Sequence, residues 1–413
     1  MKALVFERSL PRFAAARVAH VLGSSSRAAS LGPLRLVDTD PPELPADGWV
    51  HVRPLVSGIC GSDLATIEGA SSRYFEPMVS FPFIPGHEVV GVLEDVAKPD
   101  DRSPALTAGS RVVLEPVLGC AARGIEPPCS PCARGETGSC QNLAFGHLSP
   151  GLQTGFCADT GGGWSTGTLV AHLSQLHEVP ASMSDEEAVM VEPAACALHA
   201  VLGAGIAPGS QVAVLGAGTL GLLVVAAIRQ VCDPSSLLVG ARYHHQRVMA
   251  LELGADQALE PEELARALRR RSRSMLLGVD LTGGADVVID CVASSDSIRS
   301  CLAMVRPRGR VVLLGMPAKQ TLDLTPLWHR EISLSGAYAY GTENVGDGRR
   351  RTFELAMELT RSARLGRLVS ARYPIDRFEE AIAHAASAGR RGSVKVVFDL
   401  AARPPRSSKG RSA

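Results

Sequence analysis

The sequence predicts an α/β protein in which a β-rich first part precedes a doubly wound parallel sheet. Short β-rich runs bounded by Gly, Pro and Asp dominate roughly the first 180 residues, whereas apolar strands alternate with amphipathic helices from about residue 184. A glycine-rich turn at Gly216–Gly221 joins one of these strands to a helix. The 413 residues are 46% hydrophobic, so we expect two domains with sizeable cores.

The first part is expected to be largely antiparallel and to contain one insertion. Its clearest strands are Trp49–Val52, Val89–Leu93 and Arg111–Leu114. Residues 8–33 are rich in Arg, Ala and Ser and contain no acidic residue, and we interpret them as a surface insertion with one helix at Phe13–Leu22. A transit peptide is the alternative, although it would have to begin upstream of a good first strand.

The second part begins at a capping box, in which Ser184 precedes Asp185, Glu186 and Glu187. Pro193 should interrupt the helix and restart it. The alternating elements that follow predict a parallel sheet with helices on both faces. They are the strands Val212–Leu215, Leu237–Gly240, Val287–Asp290 and Arg310–Gly315 and the helices Thr219–Val231, His244–Leu253 and Ser297–Val305.

The same patterns set the expected domain limits. From about residue 340 the chain should leave the parallel sheet and end with a strand at Val394–Phe398. The first domain is predicted to span residues 1–187, with an insertion at 8–33 and a cysteine-rich lobe at 115–145. The parallel-sheet domain should span 188–339, and residues 340–400 should return to the first domain. Residues 401–413 form a Pro-, Arg- and Ser-rich tail that is expected to be disordered.

Composition limits the partners. Lys+Arg and Asp+Glu total 42 each, so there is no electrostatic reason to expect nucleic acid or an anionic membrane as a partner. The uncharged run Val212–Ile228 imitates a membrane span, but its glycines favour a strand, a turn and a helix. Arg269–Arg273 is interpreted as a solvated loop rather than a binding patch. The first residues show no secretory pattern, so we expect a reducing cytoplasm, where clustered cysteines are metal ligands.

The glycine motif predicts a dinucleotide site because it follows a predicted strand and opens a predicted helix. Gly216 allows the tight turn, Gly218 lets the backbone approach a pyrophosphate, and Gly221 lets the helix pack on the strand. Thr219 and Leu220 begin the helix, whose free N–H groups and dipole favour an anion. A glycine-rich turn without a ligand is the alternative.

The choice between NAD and NADP depends on a position about 20 residues further on. An Asp or Glu at the end of the second strand would accept hydrogen bonds from the adenosine ribose of NAD. Residues 237–243 contain no acid, and Arg242 stands about where the acid would be. A guanidinium suits a 2′-phosphate, so NADP is favoured. The alternative is that Arg242 stacks on adenine and NAD still binds.

Four cysteines predict a structural zinc site. They follow the spacing C-x8-C-x2-C-x7-C, with a longer first gap than the rest, and are Cys120, Cys129, Cys132 and Cys140. Four thiolates fill the tetrahedral coordination of zinc and leave no position for a substrate. Four unrelated free thiols are the alternative.

A second set of residues predicts a catalytic zinc. Cys60 and His87 lie in glycine-flanked turns, and a catalytic zinc needs about three protein ligands and one open position. Glu192, at the junction of the two parts, is the natural third ligand. Glu88, next to His87, either ligates the metal or lies in the layer of residues around it.

Two neighbours complete the predicted catalytic site. Asp63 would accept a hydrogen bond from the ring of His87 and fix its tautomer. Ser62 would hold the substrate hydroxyl and pass on its proton. Gly161–Trp164 either lines the cleft or forms a surface turn.

These motifs resemble those of the zinc-dependent medium-chain dehydrogenase/reductase family, which includes alcohol, polyol and threonine dehydrogenases. The resemblance runs from Met1 to about Leu400 apart from residues 8–33, and Glu192-Pro193 looks like the polyol and threonine branch. It implies a GroES-like catalytic domain built from both chain ends around a central Rossmann domain. It also implies a catalytic zinc on Cys60, His87 and either Glu192 or Glu88, with a proton relay from Ser62.

The resemblance implies hydride transfer between a secondary alcohol or polyol, or its ketone or aldehyde, and NADP or NAD, with two zinc ions per chain. A homodimer or homotetramer is expected. The alternatives are a biosynthetic reductase of a carbonyl or enone with the same fold, and a nucleotide-binding protein without turnover. One departure concerns the proton path, because Leu64-Ala65-Thr66 stands where many relatives have a histidine that carries the proton to solvent.

Overall fold

The computed structural model describes residues 1–94 and 106–401. Within these ranges the strands are β1 (Lys2–Phe6), β2 (Leu34–Asp38), β3 (Trp49–Gly58), β4 (Val89–Leu93), β5 (Arg111–Leu114), β6 (Leu169–His172), β7 (Leu176–Glu178), β8 (Gln211–Leu215), β9 (Ser236–Gly240), β10 (Gln257–Leu259), β11 (Leu276–Leu277), β12 (Asp280–Leu281), β13 (Ala285–Asp290), β14 (Val305–Leu313), β15 (Ser333–Gly336), β16 (Thr342–Val345), β17 (Gly348–Arg351), β18 (Val369–Tyr373) and β19 (Lys395–Asp399).

The same part of the chain forms α-helices and short 3₁₀ helices. The α-helices are α1 (Leu10–Val21), α2 (Ser25–Leu31), α3 (Gly61–Ile67), α4 (Ser130–Ala133), α5 (Asp185–Ala188), α6 (Val191–Gly203), α7 (Thr219–Val231), α8 (His244–Glu252), α9 (Pro261–Ser272), α10 (Ser295–Met304), α11 (Thr325–His329), α12 (Thr352–Ser362) and α13 (Phe378–Ala386). The 3₁₀ helices are Arg73–Met78, Thr137–Ser139, Leu173–Gln175, Leu365–Leu368, Ile375–Arg377 and Ala388–Arg391. The tail predicted to be disordered lies outside the described residues, except for Ala401.

The first sheet joins the two ends of the chain. Its strand order is β18-β19-β3-β4-β5-β7, and β6 also pairs with β3. The central strand β3 was predicted only as far as Val52, but it continues to Gly58 because its second half pairs with β4 and β19. The pairing of β19 with β3 is antiparallel and aligns Val397 with Gly58. The last strand of the chain therefore lies beside the turn that carries Cys60.

The second sheet is parallel and doubly wound, as predicted. Its order is β10-β9-β8-β13-β14-β15, and all its pairs are parallel. The strand order reverses between β8 and β13, and ligands bind at such a switch point, outside the carboxyl ends of the strands. The glycine-rich turn follows β8 directly, so the fold places it at this crevice.

The run Val212–Ile228 forms the strand, turn and helix that the sequence predicts. It covers most of β8, the glycine turn and the first ten residues of α7. Across the described residues we find no helix with both the length and the apolar character that crossing a bilayer requires.

The insertion at residues 8–33 differs from its prediction. It forms two helices, α1 and α2, rather than one, and β1 pairs with β2 on either side of it. Alanines on both helices are buried, including Ala16 and Ala28, and α2 packs on α13. The second helix gave little sequence signal because small alanines pack closely without a pattern of large apolar residues.

The arginine run is solvated, as predicted, but it is not a loop. Arg269, Arg270 and Arg271 form the last turn of α9, and Arg273 ends the helix in the left-handed conformation, with φ 50°. The sequence of α9 fits its dipole, since Pro261 and two glutamates begin it and arginines end it.

Candidate active site

Cys60 and Asp63 are positioned by the start of α3. Cys60 is the N-cap, and its main-chain N–H donates to Oδ2 of Asp63 at 2.9 Å. The other oxygen of Asp63 lies 3.4 Å from Nδ1 of His87. Asp63 therefore lies beside both residues, and Nε2 is the ring nitrogen of His87 that faces away from it and is left for a metal.

His87 follows a glycine whose conformation its neighbours require. Gly86 has φ +98°, and a Cβ there would lie 2.4 Å from the Trp164 ring. Burial lowers the pKa of His87, but the interactions with Asp63 and Cys60 together outweigh it and raise the pKa well above its usual value. The interpretation of Gly161–Trp164 as a surface turn is wrong, since all four residues are buried and the N–H of Gly163 donates to Gly86.

Three metal-ligand side chains converge beside α3. The donor atoms of Cys60, His87 and Glu88 all lie within 4.8 Å of one another. Glu88 is buried and forms an ion pair with Lys395, whose ammonium also donates to the carbonyl of Ile59 at 3.2 Å. A single lysine within the apolar strand β19 was the only sequence signal for this pair.

Glu192 lies outside this three-residue set but borders it. It is in the first turn of α6, and its Oε1 accepts a hydrogen bond from the Tyr340 hydroxyl at 3.0 Å. The thiol of Cys196, one helical turn further on, lies 3.7 Å from the same oxygen. Burial, with the negative charge of Glu88 adding to it, raises the pKa of Glu192 to about 7. Sequence reasoning missed both Tyr340 and Cys196.

Ser62 lies in the first turn of α3 and is half-buried. Its carbonyl accepts a hydrogen bond from the Thr66 hydroxyl at 2.9 Å, and that hydroxyl is also 3.1 Å from the hydroxyl of Ser71. The segment that lacks the histidine therefore offers hydroxyl groups one turn beyond Ser62.

The four cysteines of the predicted structural site meet in one cluster, and their sulfur atoms all lie within 4.8 Å of one another. Cys140 is 3.7 Å from Cys120 and 4.0 Å from Cys129. A tetrahedron with zinc–sulfur distances of about 2.3 Å has edges of about 3.8 Å, so these separations fit zinc.

Main-chain and side-chain N–H groups surround the sulfur atoms of the cluster. The main-chain N–H of Asn142 donates to the sulfur of Cys140 at 3.4 Å, and its side-chain Nδ2 donates to the sulfur of Cys120 at 3.3 Å. The Cys132 side chain, together with the Asn142 amide, lowers the pKa of Cys140 to about 5. Burial raises the pKa of Cys120, and the interaction with Cys140 raises that of Cys132, so the thiolate, which is the form that binds metal, is favoured at Cys140 in particular.

The glycine turn after β8 has the geometry that a pyrophosphate requires. Gly216 has φ +94°, and its N–H donates to the carbonyl of Gly240 at 2.8 Å. A Cβ on Gly218 would meet no protein atom within 4 Å, whereas one on Gly221 would lie 1.9 Å from the Gly216 oxygen. The turn is thus open at Gly218 and closed at Gly221, as the fingerprint predicts.

The residues around the glycines include two of the predicted cofactor contacts. Thr219 and Leu220 begin α7, and the Thr219 hydroxyl donates to the carbonyl of Val394 at 3.2 Å. Arg242 is exposed just after the end of β9, which is where the acid of an NAD site would stand.

Comparisons with known proteins agree with this geometry. Residues 46–181 match the family model described as the alcohol dehydrogenase GroES-like domain, and residues 220–362 match the model described as zinc-binding dehydrogenase. L-idonate 5-dehydrogenase of Vitis vinifera is 29% identical over 389 residues, covering 92% of this chain and 96% of that protein.

Two further relatives extend the comparison. D-xylulose reductase A of Aspergillus niger is 30% identical over 317 residues, covering 75% of this chain and 80% of that protein. The structure of an E. coli CFT073 alcohol dehydrogenase (rspB) in complex with NADH has a TM-score of 0.72 and 21% identity, covering 97% of this chain and 99% of that one. The chain belongs to the zinc-dependent medium-chain dehydrogenase family.

Proposed function

We propose that this protein transfers a hydride between a secondary hydroxyl of a polyol, or the corresponding ketone, and NADP or NAD. The observation that carries the proposal is the cluster of Cys60, His87 and Glu88 in a molecule that also has an open dinucleotide turn. The similarity to a plant L-idonate dehydrogenase and a fungal D-xylulose reductase supports a polyol as the substrate.

The charges of the cluster support a bound dication. The sulfur of Cys60 and the carboxyl groups of Asp63, Glu88 and Glu192 converge in a largely buried region, and Lys395 is the cation that pairs with Glu88. Buried carboxylates need compensation by cations or metals, and a dication held by these side chains would add to the compensation from Lys395 and His87. Cysteine, histidine and carboxylate together are a donor set typical of zinc.

We propose that Cys60, His87 and Glu88 hold the catalytic zinc and that Glu192 stands beside it. Glu88 is favoured over Glu192 as the third ligand because its oxygen lies within the 4.8 Å set. Tyr340 holds Glu192 by a hydrogen bond, which fixes that carboxylate at the edge of the site. Cys120, Cys129, Cys132 and Cys140 would hold the second, structural zinc.

Bound zinc supplies Lewis acidity, which lowers the pKa of a substrate alcohol and polarises a substrate carbonyl. Asp63 orients the ring of His87. Ser62 holds the substrate hydroxyl and passes its proton from Oγ. Gly218 leaves room for the pyrophosphate, and the first amides of α7 bind it. Arg242 favours NADP by pairing with the 2′-phosphate.

The assembly and location belong to the proposal. Among the described strands β15 pairs with β14 alone and so offers its other side to a second copy, which supports a homodimer or homotetramer. The cysteines that the structure describes are all free, which suits a reducing cytoplasm. The molar mass in solution, measured by light scattering, tests the assembly.

Metal content and substrate screening together test the function. The purified protein should hold two zinc ions per chain and oxidise polyols in a screen with NAD and NADP in parallel. Cys60→Ser should lose turnover and retain one zinc, whereas Cys132→Ser should lose stability, because metal binding at a closed site adds to folding free energy. Cys232→Ser, outside both clusters, is the control. One zinc per wild-type chain and no turnover would contradict the proposal.

A further inference from the structure

The segment Ala388–Arg391, near the end of the chain, lies against the nucleotide side of the molecule. A Cβ on Gly389 would be 2.3 Å from Cε2 of Tyr243, so the tyrosine ring packs directly on this glycine. Val394, three residues after this segment, accepts a hydrogen bond from the Thr219 hydroxyl. We call residues 388–394 the return segment. The return segment therefore touches both the start of α7 and the turn after β9.

Three arginines flank this contact. Arg242 precedes Tyr243, while Arg390 and Arg391 follow Gly389, and all three are exposed. Within residues 1–94 and 106–401 none of their guanidinium groups takes part in an ion pair or a hydrogen bond. Arg247 in the same turn is different, because it donates to the carbonyls of Ala241 and Arg242 and pairs with Glu260 at 3.3 Å.

The charge of Arg391 also acts on a neighbouring side chain. His384, on α13, has a lowered pKa because of burial and the charge of Arg391. Cations brought together without a counter-charge repel one another, so a site of this kind gains most from a bound anion. The planar guanidinium binds phosphate oxygens through two parallel N–H groups, which makes phosphate a well-matched anion.

We propose that Arg390 and Arg391 form a second half of the 2′-phosphate site of NADP, opposite Arg242. The inference depends on the proposed function, in which a dinucleotide binds at the turn after β8. The sequence pattern finds only Arg242, because the other two arginines are far away in the chain and reach the site through the packing of Tyr243 on Gly389. The phosphate would then link the return segment to the nucleotide domain, and NAD would not.

Binding of nucleotide fragments to the whole protein separates this site from catalysis. 2′,5′-ADP carries the 2′-phosphate and 5′-AMP lacks it, so the ratio of their dissociation constants, measured by calorimetry at low salt, isolates the phosphate contacts. The double substitution Arg390→Ala/Arg391→Ala should weaken the binding of 2′,5′-ADP by about tenfold or more, since a hydrogen bond to a charged group commonly contributes that much. It should leave the affinity for 5′-AMP nearly unchanged. The control is Arg270→Ala/Arg271→Ala, an adjacent exposed pair on α9, which should change neither constant.

The outcomes separate the two proposals. Wild-type affinity for 2′,5′-ADP in the Arg390/Arg391 double variant, with a loss in Arg242→Ala, would overturn this inference and leave the proposed function standing. Equal wild-type affinities for the two fragments would overturn the 2′-phosphate site as a whole. Absence of polyol turnover with either cofactor would contradict the proposed function, whatever the fragments show.

Discussion

Replacing Arg123 with methionine should loosen the cysteine lobe selectively. Arg123 is fully buried and donates six hydrogen bonds, at 2.7–3.3 Å, to main-chain carbonyls. The carbonyls belong to Leu118, Phe145, Leu148, Ser149 and Gly151. The guanidinium thus ties the segment that enters the lobe after β5 to the loop that leaves it.

The expected loss follows from those contacts. Methionine keeps much of the side-chain volume but leaves five carbonyls without this donor. Each hydrogen bond to a charged group contributes about 1.5–3 kcal/mol, and the burial of the guanidinium costs several kcal/mol, so the net loss is well below the sum. We expect about 3–5 kcal/mol, because each buried carbonyl left without a donor costs about 1–3 kcal/mol and the removed guanidinium no longer has to be desolvated. Since about 1.4 kcal/mol is tenfold, local opening should rise by at least about 100-fold.

The rate at which the lobe releases zinc to a chelating dye measures that opening. Arg123→Met should release the structural zinc at least about 100-fold faster at neutral pH. Arg134→Met is the matched control, because Arg134 is exposed in the same lobe and its ion pair with Glu136 should contribute at most about 1 kcal/mol. Equal release rates and equal urea midpoints for Arg123→Met and the wild type would refute the argument that this guanidinium holds the lobe closed.

Further predictions concern the glycine turn and a buried carboxylate. Gly218→Ala should fold normally yet bind NADPH at least about tenfold more weakly in a fluorescence titration, because its Cβ projects into open space where the pyrophosphate is expected. Gly221→Ala should instead lower the urea midpoint, since its Cβ would lie 1.9 Å from a main-chain oxygen. Burial opposes the charged form of Glu115, but His177 and Arg351 outweigh burial and lower the pKa of this carboxyl below 4.5. Glu115→Gln should therefore lower the free energy of unfolding by its full amount above about pH 4.5. This loss of stability should disappear as the pH falls through the lowered pKa, because the wild-type carboxyl is then also neutral. Urea midpoints at pH 7 and below pH 4 check this.

The parts of the fold that the sequence predicts best are those set by local chemistry. Helix α7 has the predicted limits, because the glycine turn fixes its start and the apolar residues that follow give it a buried face along most of its length. The cysteine cluster is equally local, since its four residues are close in sequence and metal geometry limits how they can meet.

The surroundings of the site were beyond sequence reasoning because they depend on pairs far apart in the chain. Lys395 lies 336 residues after Ile59, and Tyr340 lies 148 residues after Glu192. Neither pair has a period or a spacing that predicts it. Each forms only after the return of the chain places β19 beside β3 and residues near 340 beside α6.

The position of Tyr340 gives the cysteine lobe a role beyond its own stability. The Tyr340 carbonyl accepts a hydrogen bond from the N–H of Gly138, inside the lobe, while its hydroxyl donates to Glu192 beside the proposed zinc ligands. A second contact, from the N–H of Thr342 to the carbonyl of Gly135, holds the same segment on the lobe. A rigid lobe therefore fixes the main chain from which the hydroxyl reaches Glu192. Loosening the lobe should disturb that carboxylate even though none of the four cysteines belongs to the group of Cys60, His87 and Glu88.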